Sequence, residues 1–98
     1  MKLLTKKLEN SLPPLYATEN IPAGDKTAIV KYFNSWGDSR WYGVEYDPDE
    51  RVFFGYVRNG SGESEWGYFS LTEMEELPMI ERDLYFEPTQ MRFLIEGI

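Results

Sequence analysis

The sequence contains no cysteine and no histidine. The first absence excludes disulfides, thiol nucleophiles, iron–sulfur clusters and thiolate zinc sites. The second removes the usual general base, the Ser–His pairing and imidazole metal ligation. No apolar run exceeds a few residues, against the ~18 that a membrane-spanning helix needs. The opening Met1-Lys2-Leu3-Leu4 breaks at Thr5-Lys6-Lys7, so no signal-peptide apolar region forms and a cytoplasmic chain that avoids membranes is expected. Positive charge is scarce as well: 10 Lys and Arg stand against 17 Asp and Glu, a net charge of −7.

What is present is a core. With 98 residues, 42% apolar and 16% aromatic, the chain suits one folded domain over 1–98 and is too hydrophobic for a disordered one. The charge imbalance is local. Residues 63–87 carry Glu63, Glu65, Glu73, Glu75, Glu76, Glu81, Asp83 and Glu87 against Arg82 alone, and the rest of the chain is balanced. Such a segment repels phosphate, so direct nucleic-acid binding is not expected. It serves either as a solubilising face or as a surface for a basic partner. As an imitation of DNA, seven charges match only about 12 Å of duplex, so a monomer imitates DNA poorly and a dimer fairly.

The periodicity changes along the chain. Leu4, Leu8 and Leu12 step by four behind Thr5, a suitable N-cap, and Pro13-Pro14 ends the pattern, which predicts a short amphipathic helix. Residues 15–26 read as loop. Thr27–Phe33, Arg40–Tyr46, Arg51–Arg58 and Glu65–Leu71 are rich in β-branched and aromatic residues between turn signals, predicting an antiparallel meander of about four strands. Thr72–Glu75 forms a capping box before a second helix that stops at Pro78. Pro88 suits the first turn of a third, with Met91, Phe93, Leu94 and Ile98 on its apolar side and Gly97 at its end. The expected fold is α+β: four strands and three short helices.

Tyr42-Gly43, Phe54-Gly55 and Trp66-Gly67 repeat at twelve-residue steps. Closing Asp47-Pro48-Asp49-Glu50 with Tyr46 opposite Arg51, and Asn59-Gly60-Ser61-Gly62 with Asn59 opposite Gly62, sets each of these aromatics across from a glycine. Rings covering glycines would then fix the register. The same register leaves both sheet faces apolar. Loops or a partner must cover whatever the helices do not, so an aromatic docking surface including Trp41, Tyr56, Trp66 and Tyr68 is a candidate, beside an acidic one including Glu73, Glu75, Glu76, Glu81 and Asp83.

Chemistry is thinly represented. Asp47, Asp49 and Glu50 share a turn without the glycine and spacing of a calcium loop, and Gly60-Ser61-Gly62 lacks the lysine of a phosphate loop. Nothing sets a nucleophile beside a base. No catalytic, metal or cofactor residues are assigned, and a small carboxylate- or metal-dependent enzyme stands as the alternative class.

Met1-Lys2-Leu3-Leu4-Thr5-Lys6, Leu12-Pro13-Pro14-Leu15-Tyr16, Tyr46-Asp47-Pro48, Phe53-Phe54-Gly55-Tyr56-Val57, Gly67-Tyr68-Phe69-Ser70-Leu71 and Ile80 through Pro88 together resemble a small bacterial domain-of-unknown-function family carried on conjugative plasmids and integrating mobile elements. The resemblance implies a mobile-element setting and supplies no reaction. It draws attention to Arg82, where a structural ion pair is expected. The reading is a non-enzymatic accessory protein that binds another protein, with a basic nuclease or transfer machinery as the partner class and the oligomeric state open.

Overall fold

The computed structural model describes residues 1–97. Two α-helices, α1 (Lys6–Ser11) and α2 (Leu71–Glu75), accompany seven strands: β1 (Thr27–Ala28), β2 (Val30–Asn34), β3 (Arg40–Asp47), β4 (Val52–Arg58), β5 (Ser64–Ser70), β6 (Ile80–Arg82) and β7 (Thr89–Gln90). Five form an antiparallel sheet in the order β5-β4-β3-β2-β6, and β1 pairs with β7 in a separate ribbon. The chain is α+β as expected, with a strand inventory larger than the expected four and one α-helix fewer than three.

Where the sequence reading holds, local chemistry explains it. The Thr5 hydroxyl accepts from the Leu8 N–H and starts α1. The helix at the end of β5 starts two residues earlier than the Thr72 capping box implied: Ser70 is the cap, its hydroxyl accepting from the Glu73 N–H at 3.2 Å. Thr72 instead accepts from Arg51. The third helix does not form. Thr89–Gln90 enters the ladder with β1, the Met91 N–H donates to the Lys26 carbonyl, and only a 3₁₀ turn follows at Met91–Phe93. Burial of Met91, which is fully shielded, fixes the backbone here more strongly than the helix signal of Pro88. Ile98, expected on that helix, lies outside the described residues.

The ring-over-glycine register is overturned. Both hairpins close differently from the turns inferred. Arg51 takes a left-handed conformation (φ 56°), so the first loop runs over residues 48–51 and Asp47 pairs with Val52. In the second, Asn59 accepts from the Gly62 N–H and donates to the Glu63 carbonyl, with Gly62 left-handed at φ 92°. That is a three-residue loop with a glycine bulge rather than a two-residue one. A one-residue slip flips every side chain. Gly43 therefore faces Gly55, and Gly55 faces Gly67, with Tyr42, Tyr56 and Trp66 in the adjoining row.

The glycines explain themselves by close approach. A Cβ on Gly55 would lie 1.8 Å from the Tyr42 carbonyl oxygen, and one on Gly43 2.8 Å from Val30 Cγ1.

Each sheet face has its own core. On the helix face, Val30, Tyr32, Tyr46 and Phe53 pack with Leu3, Leu4, Leu12, Leu71, Met74 and Ile80. The Tyr32 hydroxyl, burial of which raises its pKa strongly, donates to the Leu3 carbonyl at 2.7 Å. On the ribbon face, Tyr42, Val44, Ala28 and Met91 form a second core, flanked by Tyr56, Trp66, Phe86, Leu94 and Ile95. Both faces are thus roofed for most of their width by the chain itself. Arg82 joins no ion pair among the described residues; its guanidinium donates to the Lys2 carbonyl and ties the N-terminal segment to β6.

Candidate functional site

The irregular point of the sheet lies in β3. Between the Gly43–Gly55 and Glu45–Phe54 pairs the ladder shifts by one residue, leaving Val44 as an extra residue in a β-bulge. A bulge bends its strand and re-aims the side chains around it. Here it brings Val44, fully buried, and Glu45, 3% exposed, onto the ribbon face beside Phe54.

A carboxylate at that depth needs partners. Glu45 has them: Oε1 accepts from the Tyr16 N–H at 2.8 Å, and Oε2 accepts from the Thr18 N–H at 2.9 Å and from the Thr18 hydroxyl. Tyr16 is left-handed (φ 71°), a conformation uncommon for a non-glycine residue, and the bond to Glu45 holds it there. Lys26, also buried, donates from Nζ to the Thr18 carbonyl and to the Thr18 hydroxyl. Thr18 thus bridges a buried anion and a buried cation. Every buried side-chain polar atom among the described residues has a partner.

This network supports an open pocket of about 270 Å³ lined by Tyr16, Glu19, Lys26, Glu45, Phe54 and Tyr68. Two tyrosines stand at its mouth, Tyr16 at 64% and Tyr68 at 56% exposure. The neighbouring Tyr16 phenol raises the Tyr68 pKa, with loss of hydration and the Glu45 charge pushing the same way. Behind Tyr68 the rings run continuously: Phe54 lies 5.3 Å from Tyr68 and 5.8 Å from Trp66, and Tyr56 meets Trp66 edge-on at 5.3 Å.

Of the aromatic residues singled out from sequence, the structure brings Tyr56, Trp66 and Tyr68 together on the ribbon face. Trp41 points to the other face, half-buried against the helix-side core. The acidic residues do not form one cluster. Glu73, Glu75 and Glu76 are exposed on and just after α2, and Glu75 is held by a two-pronged Arg51 at 2.8 and 3.0 Å. Glu81 and the Lys31-paired Asp83 sit at the β6 edge. Glu63 and Glu65 sit at the opposite edge, four strand spacings or about 19 Å away. Glu75 and Glu81 do share the rim of a cavity of about 520 Å³ with Met1 and Lys2.

Sequence reasoning missed Tyr16, Thr18, Glu19, Lys26, Glu45 and Phe54. Glu45 carried one signal: it is the only ionisable side chain between two aromatic-rich stretches of β3, where regular alternation would place it opposite its apolar neighbours.

Among the described residues no helix is long and apolar enough to cross a membrane, and no three carboxylates converge as metal ligands would. No curated protein and no solved structure matches the chain. Residues 3–93, nearly its whole length, match the family described as "Protein of unknown function (DUF2958)", and the chain belongs to that family.

Proposed function

We propose that the protein is a non-enzymatic binding module that engages another protein through the ribbon-face aromatics around the Glu45 pocket. The observation that carries this reading is the contrast between mouth and floor. Tyr16 and Tyr68 are largely exposed, yet the backbone beneath Tyr16 is fixed by a buried carboxylate with three donors, and Tyr68 stands on the β4–β5 ladder. Rigid, amphipathic rings over a preorganised support are what interface anchors require, because little conformational entropy is lost on docking. Glu45 is committed to Tyr16 and Thr18, which favours a structural over an acid–base role. The mobile-element setting that the family resemblance implies makes host nucleases and transfer machinery the partner classes to try first.

The test is capture from a host lysate with wild type, a Tyr16→Ala/Tyr68→Ala variant and a Glu73→Gln/Glu75→Gln/Glu76→Gln variant, each at low and at about 0.5 M salt. The reading predicts that a partner held by wild type is lost with the tyrosines. A partner lost only with the glutamates and with salt would move the function to the acidic surface.

A further inference from the structure

Resting on that reading, we infer how the partner docks: as an extended, basic segment added to the sheet along β5, with an arginine or lysine side chain laid over the Tyr16–Tyr68 pair toward Glu19.

The first support is the edge itself. β5 is seven residues long and ends the sheet. Antiparallel strands turn alternate residues toward their neighbour. The Asn59 N–H donates to the Glu63 carbonyl and the Leu71 N–H to the Arg51 carbonyl, both at 2.9 Å. These two bonds bracket β5 and set its phase. Glu65, Gly67 and Phe69 direct their backbone groups to β4, whereas Ser64, Trp66 and Tyr68 direct theirs outward. The residues with outward amides are therefore the ones that carry the pocket-side aromatics. A strand added there would gain main-chain hydrogen bonds and place its alternate side chains beside Trp66 and Tyr68.

Gly67 supplies the second support. It sits at the middle of β5, lacks a positive φ, and a Cβ built on it meets nothing within 4 Å. Its neighbours Gly43 and Gly55 are required by contacts within the chain; Gly67 is not. A glycine inside a strand weakens it, so β5 stands to gain from a further strand that completes its ladder.

Charge selects the occupant. From residue 59 to residue 81 the chain has Glu63, Glu65, Glu73, Glu75, Glu76 and Glu81 and no Lys or Arg. The pocket beside Tyr68 adds the Glu19 and Glu45 carboxylates against the Thr18-bound Lys26. A cationic side chain over two phenol rings is attracted by their faces as well as by these carboxylates. The same acidic edge works against a second copy of this chain, whose β5 would bring Glu63 and Glu65 with it.

The probe is a synthetic peptide of alternating arginine and valine, titrated into the ¹⁵N-labelled full-length chain, with a glutamate-for-arginine peptide as control. We expect binding that slows amide exchange at Ser64, Trp66 and Tyr68 and leaves Gly67 unchanged, and a control peptide weaker by about tenfold, the sum of a few surface ion pairs. Ser64→Pro removes one outward donor without touching the β4 ladder or an aromatic ring, and should weaken binding while the fold is retained. Binding that depends on Tyr16 and Tyr68 but leaves the Trp66 and Tyr68 amides unprotected overturns strand addition and spares the aromatic reading. Absence of binding, equal binding of the control peptide, or protection of the same amides by self-association in sedimentation overturns the basic-segment inference.

Discussion

Alanine substitutions along the glycine row give a graded prediction. In Gly55→Ala the new methyl would sit 1.8 Å from the Tyr42 carbonyl oxygen and 3.2 Å from the Gly43 Cα, both backbone of the neighbouring strand. No side-chain rotation relieves that clash; β3 and β4 must separate at the bulge. Overpacking against mobile side chains costs about 1–3 kcal/mol, so about 3 kcal/mol or more is expected here. Gly43→Ala meets Val30 Cγ1 at 2.8 Å and the Phe53 ring at 3.0 Å, and side chains can yield, so about 1–2 kcal/mol is expected. Gly67→Ala meets nothing; restricting the unfolded chain should stabilise it by about 0.4–1 kcal/mol. Urea and thermal unfolding read the series directly, since 1 kcal/mol moves the Tm of a domain this size by about 4–8 °C. A ring-over-glycine ladder would instead penalise all three sites alike. Equal losses at the three positions, or a Gly67→Ala protein less stable than Gly55→Ala, would refute the register.

Three further outcomes follow from the packing. Glu45→Ala strands the Tyr16 and Thr18 donors and leaves Lys26 without its counter-charge, so it should cost about 3 kcal/mol; adding Lys26→Met should cost much less than the two changes separately, a coupling of about 1 kcal/mol or more in a double-mutant cycle. Burial raises the Tyr32 phenol well above its ordinary 10.0, against the opposing pull of Arg82. Above about pH 10 the unfolded chain therefore loses that proton first and binds fewer protons than the folded one, so stability falls as pH rises; Tyr32→Phe should flatten that fall while costing about 1 kcal/mol at neutral pH through the orphaned Leu3 carbonyl. Ser70→Ala should cost about 1 kcal/mol as a lost helix cap and Thr72→Ala less than half as much, by chemical denaturation; the reverse order would restore the cap to Thr72.

The long strands were legible because they carry their own signal. Thr27–Phe33, Arg40–Tyr46, Arg51–Arg58 and Glu65–Leu71 are β-branched and aromatic, and each reappears as strand within a residue or two, the first split around Ile29 into β1 of the ribbon and β2 of the sheet. Register was not legible, because it hangs on backbone signs that residue type states weakly: the positive φ of Arg51 is unusual for its type, and Gly62 could equally have closed a shorter loop. β6 was hidden for a different reason. Ile80–Arg82 is three residues long and is a strand only because β2, nearly fifty positions away in sequence, leaves an edge for it. The site was half visible. Trp66 and Tyr68 announced themselves as aromatics on a strand, whereas Tyr16, Thr18, Lys26 and Glu45 are joined by hydrogen bonds spanning 8 to 29 residues, those to Glu45 aimed by the bulge at Val44.

β5 sits in the register that puts Trp66 and Tyr68 on one face with their amides outward, and through-space proton NMR reads that register. Non-hydrogen-bonded antiparallel pairs bring their Cα atoms to about 4.5 Å, close enough for strong Hα–Hα contacts. Such contacts are predicted for Phe54–Tyr68 and Tyr56–Trp66, the pairs seen in the sheet. Strong contacts between Gly55 and Trp66 in their place would turn the backbone of β5 over and contradict both the pocket and the docking edge.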